Sequence, residues 1–227
     1  MKKRVFYTEL AYVFGVIILA IGTAFMTIAD FGLSMVVAPA YLLHLKVSQY
    51  LPFFTFGMAE YVFQAVLLIV MMILLRKVKL TYLFSFVTTV IYGLILDASI
   101  ALVSVIPADT FAVRGILYVV GMPLSSLGVA LLFRTYIPPA AYELFVKEVS
   151  AKFKVNIHKF KSVYDYMSCI VSIVLSFAFF GMWHFEGIKA GTLVCALLNG
   201  VLISAFTKIF DKIWFFEDYL KNRRAKL

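Results

Sequence analysis

The sequence predicts an all-α, polytopic membrane helix bundle: six transmembrane helices, arranged as two inverted three-helix repeats, plus short proline-started helices. Three observations predict it. Apolar runs of roughly 20 residues, the length a helix needs to cross a bilayer, occur six times. Lysine and arginine fall almost wholly on one side of the resulting topology. Short motifs of the first half also return, in the same order, in the second.

Composition sets the solvent. Hydrophobic residues make up 63% of the chain and charged residues 15%, where a soluble domain is near half apolar and a quarter charged. A soluble fold of 227 residues cannot hide that surplus, so residues 1–227 read as a single membrane domain in a lipid bilayer. The net charge of +9 does not read as nucleic-acid binding, because the basic residues form short clusters between apolar runs, where they act as topology signals. Cys169 and Cys195 both lie in apolar runs with no metal-binding spacing. The apolar stretch after Met1-Lys2-Lys3-Arg4 is longer than a signal-peptide core, which predicts a retained first helix.

The spans are expected near 8–29, 56–76, 81–105, 112–134, 162–182 and 187–209. Two further apolar stretches, Leu33 to Val47 and Tyr136 to Val149, are too short to cross. Each carries proline near its start, Pro39 in one and Pro138 and Pro139 in the other. Proline is tolerated in a helix's first turn and not in its interior, so each stretch predicts a short helix, either re-entrant or lying at the interface. An N-in, C-in arrangement puts all but three of the 21 cations inside. The three outside are Lys46, Arg114 and Lys189. The tail from Lys208 onward, with Phe210, Trp214, Phe215 and Phe216 among its charges, is expected to prolong the last helix through the interface.

The repeat rests on four matches. Gly22-Thr23-Ala24-Phe25 resembles Gly128-Val129-Ala130-Leu131, and Ala40-Tyr41-Leu42-Leu43 with Lys46 resembles Ala141-Tyr142-Glu143-Leu144 with Lys147. Glu60-Tyr61 matches Asp165-Tyr166, and Gly93-Leu94-Ile95-Leu96 matches Gly200-Val201-Leu202-Ile203. The offsets are 106, 101, 105 and 107 residues. Repeat 1 then covers about 8–108, repeat 2 about 109–210, and a basic cytoplasmic tail 211–227. Three spans per repeat force the second copy to enter from the opposite side, the inverted arrangement common among secondary transporters.

The residues from Gly22 to Ser34, with Ala29-Asp30-Phe31-Gly32 at the end of the first span, resemble the first-repeat motif of the YitT/YczE-like bacterial membrane proteins. Gly191-Thr192, then Asn199-Gly200, resembles the motif of that family's second half. The likeness runs from about residue 8 to 210. It departs after Asp30, where Met35-Val36-Val37-Ala38-Pro39 stands in place of Gly-Pro-Trp-Asp and the acidic residue often expected there is missing. The resemblance implies a six-span, multi-pass protein of the bacterial cell membrane, with transport as the expected role.

Ionisable groups inside spans are costly and often functional. Asp97, in Tyr92-Gly93-Leu94-Ile95-Leu96-Asp97, costs about 2.5–3.5 kcal/mol in hydrocarbon unless a cation, proton, polar partner or water offsets it. It reads either as a site residue or as a hydrogen-bonded structural aspartate, and in both cases it faces the interior. Glu60 and Asp165 occupy matching places near the starts of spans 2 and 5, where they either flank a central path or cap their helices. Glu9, Asp30 and Arg134 lie at span ends and read as interfacial. The helix starts at Pro39 and Pro139 would expose free N–H groups and partial positive charge to a solute, with Tyr41 and Tyr142 adding hydroxyls. Asn199 and Thr192 share a face of span 6 and add polar atoms. Gly187 and Gly191 form a weak small-xxx-small pattern.

No phosphate-binding loop, His-Glu-x-x-His motif or Gly-x-Ser-x-Gly elbow occurs, and His44, His158 and His184 are scattered. The expectation is therefore not an enzyme and no cofactor. It is a secondary transporter or exporter of an unknown small-molecule solute, working by alternating access. The alternatives are a substrate-binding subunit of a larger import complex and a non-transporting scaffold. Ala20-x-x-x-Ala24 leaves room for a homodimer or a partner membrane subunit.

Overall fold

The structure is a computed structural model that describes residues 4–181 and 189–219; the side chains of 157–159 and 162 lie outside the description. The described chain is 76% helical, with eight helices: α1 (Thr8–Ala29), α2 (Ala38–Val47), α3 (Phe56–Leu75), α4 (Leu80–Val103), α5 (Phe111–Leu132), α6 (Ala141–Phe153), α7 (Ile157–Phe180) and α8 (Ala190–Ile213). Six of them, all but α2 and α6, are long and apolar enough to cross a membrane. Their ends follow local chemistry. Thr55 and Thr110 cap α3 and α5 by accepting from Met58 N and Val113 N. Asp30 and Arg76 close α1 and α3 in the left-handed conformation.

The predicted spans are present, with two corrections at the ends. The helix of the fifth span, α7, begins at Ile157, ahead of the expected 162. The chain does not continue as helix past Ile213; Trp214–Glu217 (β2) pairs in parallel with Arg4–Tyr7 (β1). The aromatic residues read as an interfacial helix suit a strand equally well, and Phe6 stacks on Trp214 with ring centroids 5.1 Å apart. Both termini therefore meet on one face, called here the terminal face. Gly187 and His184 lie outside the described residues, as does the tail beyond Tyr219.

The bundle is built on α1 and α5, which pack antiparallel along their length. Glycine makes this possible. A Cβ on Gly22 would lie 2.8 Å from the Gly121 carbonyl, one on Gly121 2.8 Å from that of Gly22, and one on Gly128 2.8 Å from that of Gly15. The backbones touch, as small residues allow in membrane helices. Outside this pair, α4 packs on α1 and α8 on α5, while α2 and α6 each pack on both α3 and α7. Ion pairs tie the two ends. Asp30 receives Arg114 at 2.9 Å and Lys189 at 2.6 Å on the face opposite the termini. Arg134 pairs with Asp211, and Tyr136 donates to Glu9 at 3.0 Å, on the terminal face.

Both short helices start inside the bundle, Ala38, Pro39, Ala40 and Ala141 being fully buried. Ala141 N, at the start of α6, donates to Gln64 Oε1 at 2.9 Å. Gln64 is about 12 Å from the start of α3 at ~1.5 Å per residue, a little short of its middle. At its other end, α6 returns to the terminal face: Lys152 donates to the Leu74 carbonyl and Glu148 pairs with Lys79. Pro138 and Pro139 do not occupy the first turn as expected. They form the descending linker, held by Thr88 and Ser85 donating to their carbonyls at 3.0 and 2.6 Å, because consecutive prolines disfavour helix at the residue before each. On the other face Pro39 does stand in the first turn of α2. The linker before α2 runs beside the start of α8, Gly191 N donating to the Phe31 carbonyl and Ser34 bonding Cys195, about 8 Å into α8 at ~1.5 Å per residue, and α2 ends where Lys46 donates to the Phe179 carbonyl.

Candidate functional site

The linker ahead of α2 and the start of α6, which enter the bundle from opposite faces, leave space between them. A cavity of about 380 Å³ lies there. Its wall includes Leu33, Ser34 and Val37 ahead of α2, and Pro139, Ala140, Tyr142 and Glu143 at the start of α6. Thr23 and Met26 of α1, Gln64 of α3, Tyr92 of α4, Ser125 and Val129 of α5, Lys161 and Tyr164 of α7 and Asn199 of α8 complete it. The wall reaches Phe133, Thr135 and Lys147 at the terminal face. A second cleft of about 260 Å³ shares Ser34, Lys161 and Asn199 and adds Asp165 and Cys195, between α7 and α8.

One wall is a buried polar network. Glu60, fully buried, accepts from Gln64 Nε2 at 2.8 Å and from Tyr142 Oη at 3.0 Å. Gln64 Oε1 accepts from Thr89 Oγ1 at 2.8 Å besides Ala141 N. One glutamine thus stitches α3 and α4 to the tip of α6. Opposite, Lys161 reaches both oxygens of Asp165, at 3.1 and 3.2 Å, and Ser126 donates to Asn199 Oδ1 at 2.8 Å.

The predicted site residues divide. Tyr142, Pro139 and Asn199 line the main cavity, Asp165 the adjoining cleft, and Glu60 stands directly behind Tyr142. Neither carboxylate is a helix cap: Thr55 holds that place on α3, and Asp165 pairs within α7. Asp97 is elsewhere. It accepts from Thr55 Oγ1 at 2.6 Å and from Gly57 N at 2.8 Å, so it secures the start of α3. Those bonds offset its cost, and the structural alternative describes it. Tyr41 packs edge-on against Phe56, 5.2 Å away, and is not in the cavity wall. Pro39 is fully buried at the start of α2. Thr192 is buried beside Gly32, its Oγ1 accepting from Lys189 N. His44 bonds the Phe54 carbonyl at 2.9 Å.

The wall residues that escaped the sequence reading include Gln64, Glu143 and Lys161. Gln64 sits uncharged in an apolar run. Glu143 lies in the short apolar stretch Tyr136 to Val149, and Lys161 in a segment rich in charge, where topology explains it. The only signal was that Glu143 follows Tyr142 inside a proline-started segment. Among the described residues no group of three or more His, Cys, Asp or Glu stands close enough to hold a metal ion.

No curated protein and no solved structure matches this chain significantly. A family does: residues 6–208, nearly the whole bundle and every residue of the cavity wall, match the family of unknown function DUF6198, and the chain belongs to that family.

Proposed function

We propose that this protein is a secondary transporter of a small solute, in which two inverted repeats, α1–α4 and α5–α8, alternate access to the central cavity. The observation that carries this reading is the cavity between the linker ahead of α2 and the start of α6, one from each half. The packing supports the repeat. Gly15 and Gly22 stand 106 residues before Gly121 and Gly128, and the contacts cross, Gly22 to Gly121 and Gly15 to Gly128, as a twofold axis between α1 and α5 requires. The linker before α6 is held by α4 of the first half, and the linker before α2 by α8 of the second, through Gly191 N donating to the Phe31 carbonyl. Half-helix starts facing a midplane site are a recurring transporter device.

In this reading the cavity opens toward the terminal face, and the Asp30–Arg114–Lys189 cluster closes the other. The cation distribution favours a cytoplasmic terminal face, and the YitT/YczE-like resemblance favours a bacterial plasma membrane. The chain needs no covalent chemistry for this role. A cysteine placed at Ala108 should react with an impermeant reagent from outside and one at Val155 only after permeabilisation; the reverse pattern would discard the orientation. Solute-loaded liposomes holding the purified protein alone should show flux. Flux that requires a co-purifying ATPase would turn the reading into a subunit of an import complex.

A further inference from the structure

We propose that Glu143 is the solute-binding carboxylate of the central cavity and that its ligand is a small organic cation with an apolar body. This rests on reading the cavity as the solute site and adds the chemistry of the solute. The charge accounting singles out one group. Glu60 directs Oε2 at two donors, and although its Oε1 is also buried without a partner, it stands behind the wall and does not line the cavity. Lys161 and Asp165 neutralise each other. Lys147, one turn beyond Glu143 on α6, is exposed at the mouth, where water screens it. Glu143 lines the cavity, and its Oε2 is buried with no hydrogen-bond partner.

A buried carboxylate without a partner is costly unless it holds a proton or a cation. The rest of the wall suits a cation with an apolar body. The ring faces and hydroxyls of Tyr92, Tyr142 and Tyr164 attract positive charge, and Met26 and Val129 offer apolar contact. About 380 Å³ is within the range of small-molecule sites. An anion would meet Glu143 and find Lys161 already paired. The carboxylate therefore exchanges one proton for one cation: binding transfers the proton from Glu143 to solvent and seats the cation on the freed oxygen. Deprotonation favours the cation, so affinity rises with pH. The groups facing Glu143 that set this exchange are Lys161, Asp165 and Tyr164 of α7, Glu60 of α3, Tyr92 of α4, and Tyr142 and Lys147 of α6.

The test is binding of tetraphenylphosphonium and tetraphenylborate, matched in size and opposite in charge, to the purified full-length protein in detergent by calorimetry. The phosphonium should bind and the borate should not. In weakly buffered solution each bound phosphonium should release about one proton, and Glu143→Gln should weaken it by at least about tenfold and abolish the release. Glu143→Asp should retain part of both. Equal binding of the two probes to the wild-type chain, or phosphonium binding without proton release, would overturn the proposal even if Glu143→Gln fails to fold. Glu143-dependent phosphonium binding without flux of any solute leaves the cation site standing and removes the transporter. Flux of other solutes with no phosphonium binding does the reverse.

Discussion

The α3–α4 pair and the α7–α8 pair, which the proposed repeat makes equivalent, are built differently. Gly57 and Gly93 let α3 and α4 touch, and a Cβ on Gly93 would lie 3.1 Å from the Gly57 carbonyl. Asp97 and the Gln64–Thr89 bond fasten the same pair. Gly200, which the proposed repeat matches to Gly93, has nothing within 4 Å of where a Cβ would stand, and among the described residues α7 makes at most marginal contact with α8. Within their most apolar stretches 17% of α7 and α8 residues are buried, against 33% in α3 and 39% in α4. The consequence is mechanical. α7 is held chiefly by the two short helices, so the side of the cavity that carries Lys161 and Asp165 is the side with the fewest restraints.

Three experiments break or sharpen this contrast. The largest effect belongs to the glycines. Gly93→Ala should destabilise by about 1–3 kcal/mol or more through overpacking, read as a fall in thermal midpoint. Gly200→Ala should be neutral or raise stability by up to about 1 kcal/mol, because alanine is the better helix former. Equal damage at the two sites would mean that α7 and α8 are packed as tightly as α3 and α4. Next come the aspartates. Asp97→Ala removes an acceptor from two donors and should cost about 1.5–3 kcal/mol. Asp165→Ala breaks a partly exposed ion pair and should cost at most about 1 kcal/mol, while changing solute binding. A loss of stability at Asp165 as large as at Asp97 would assign both a structural role. The smallest effect lies at the terminal face. Glu148 holds the Lys79 ammonium above the usual lysine range through their hydrogen bond. A raised folded-state value means that this contribution is complete below the ordinary lysine range and is lost only as pH climbs above it. The pair is exposed, so Lys79→Ala should lower the midpoint only slightly, and less at high salt.

Much of this was legible in the chain. Glu60, Tyr142, Asn199 and Asp165 were each visible as polar groups in apolar surroundings, and the structure gathers them around one cavity and its adjoining cleft. Asp97 was equally visible but holds α3, because position along a span does not tell which neighbour a carboxylate meets. Glu143 and Lys161 were hidden for the opposite reason: in a segment that connects two spans an ion looks solvated until the segment is found inside the bundle.

Hydrophobic run length and cation bias alone determined six spans and their alternation, because the bilayer imposes a length and a charge rule on each span independently. Proline placement and apolar length determined that two short helices exist. Only the tertiary structure decided that both dip inward, that Gln64 pins the tip of α6, and that α7 stands apart from α8. Those outcomes depend on pairs of residues distant in sequence, such as Gln64 with Ala141 and Asp30 with Lys189. Their energies exist only once the helices are side by side.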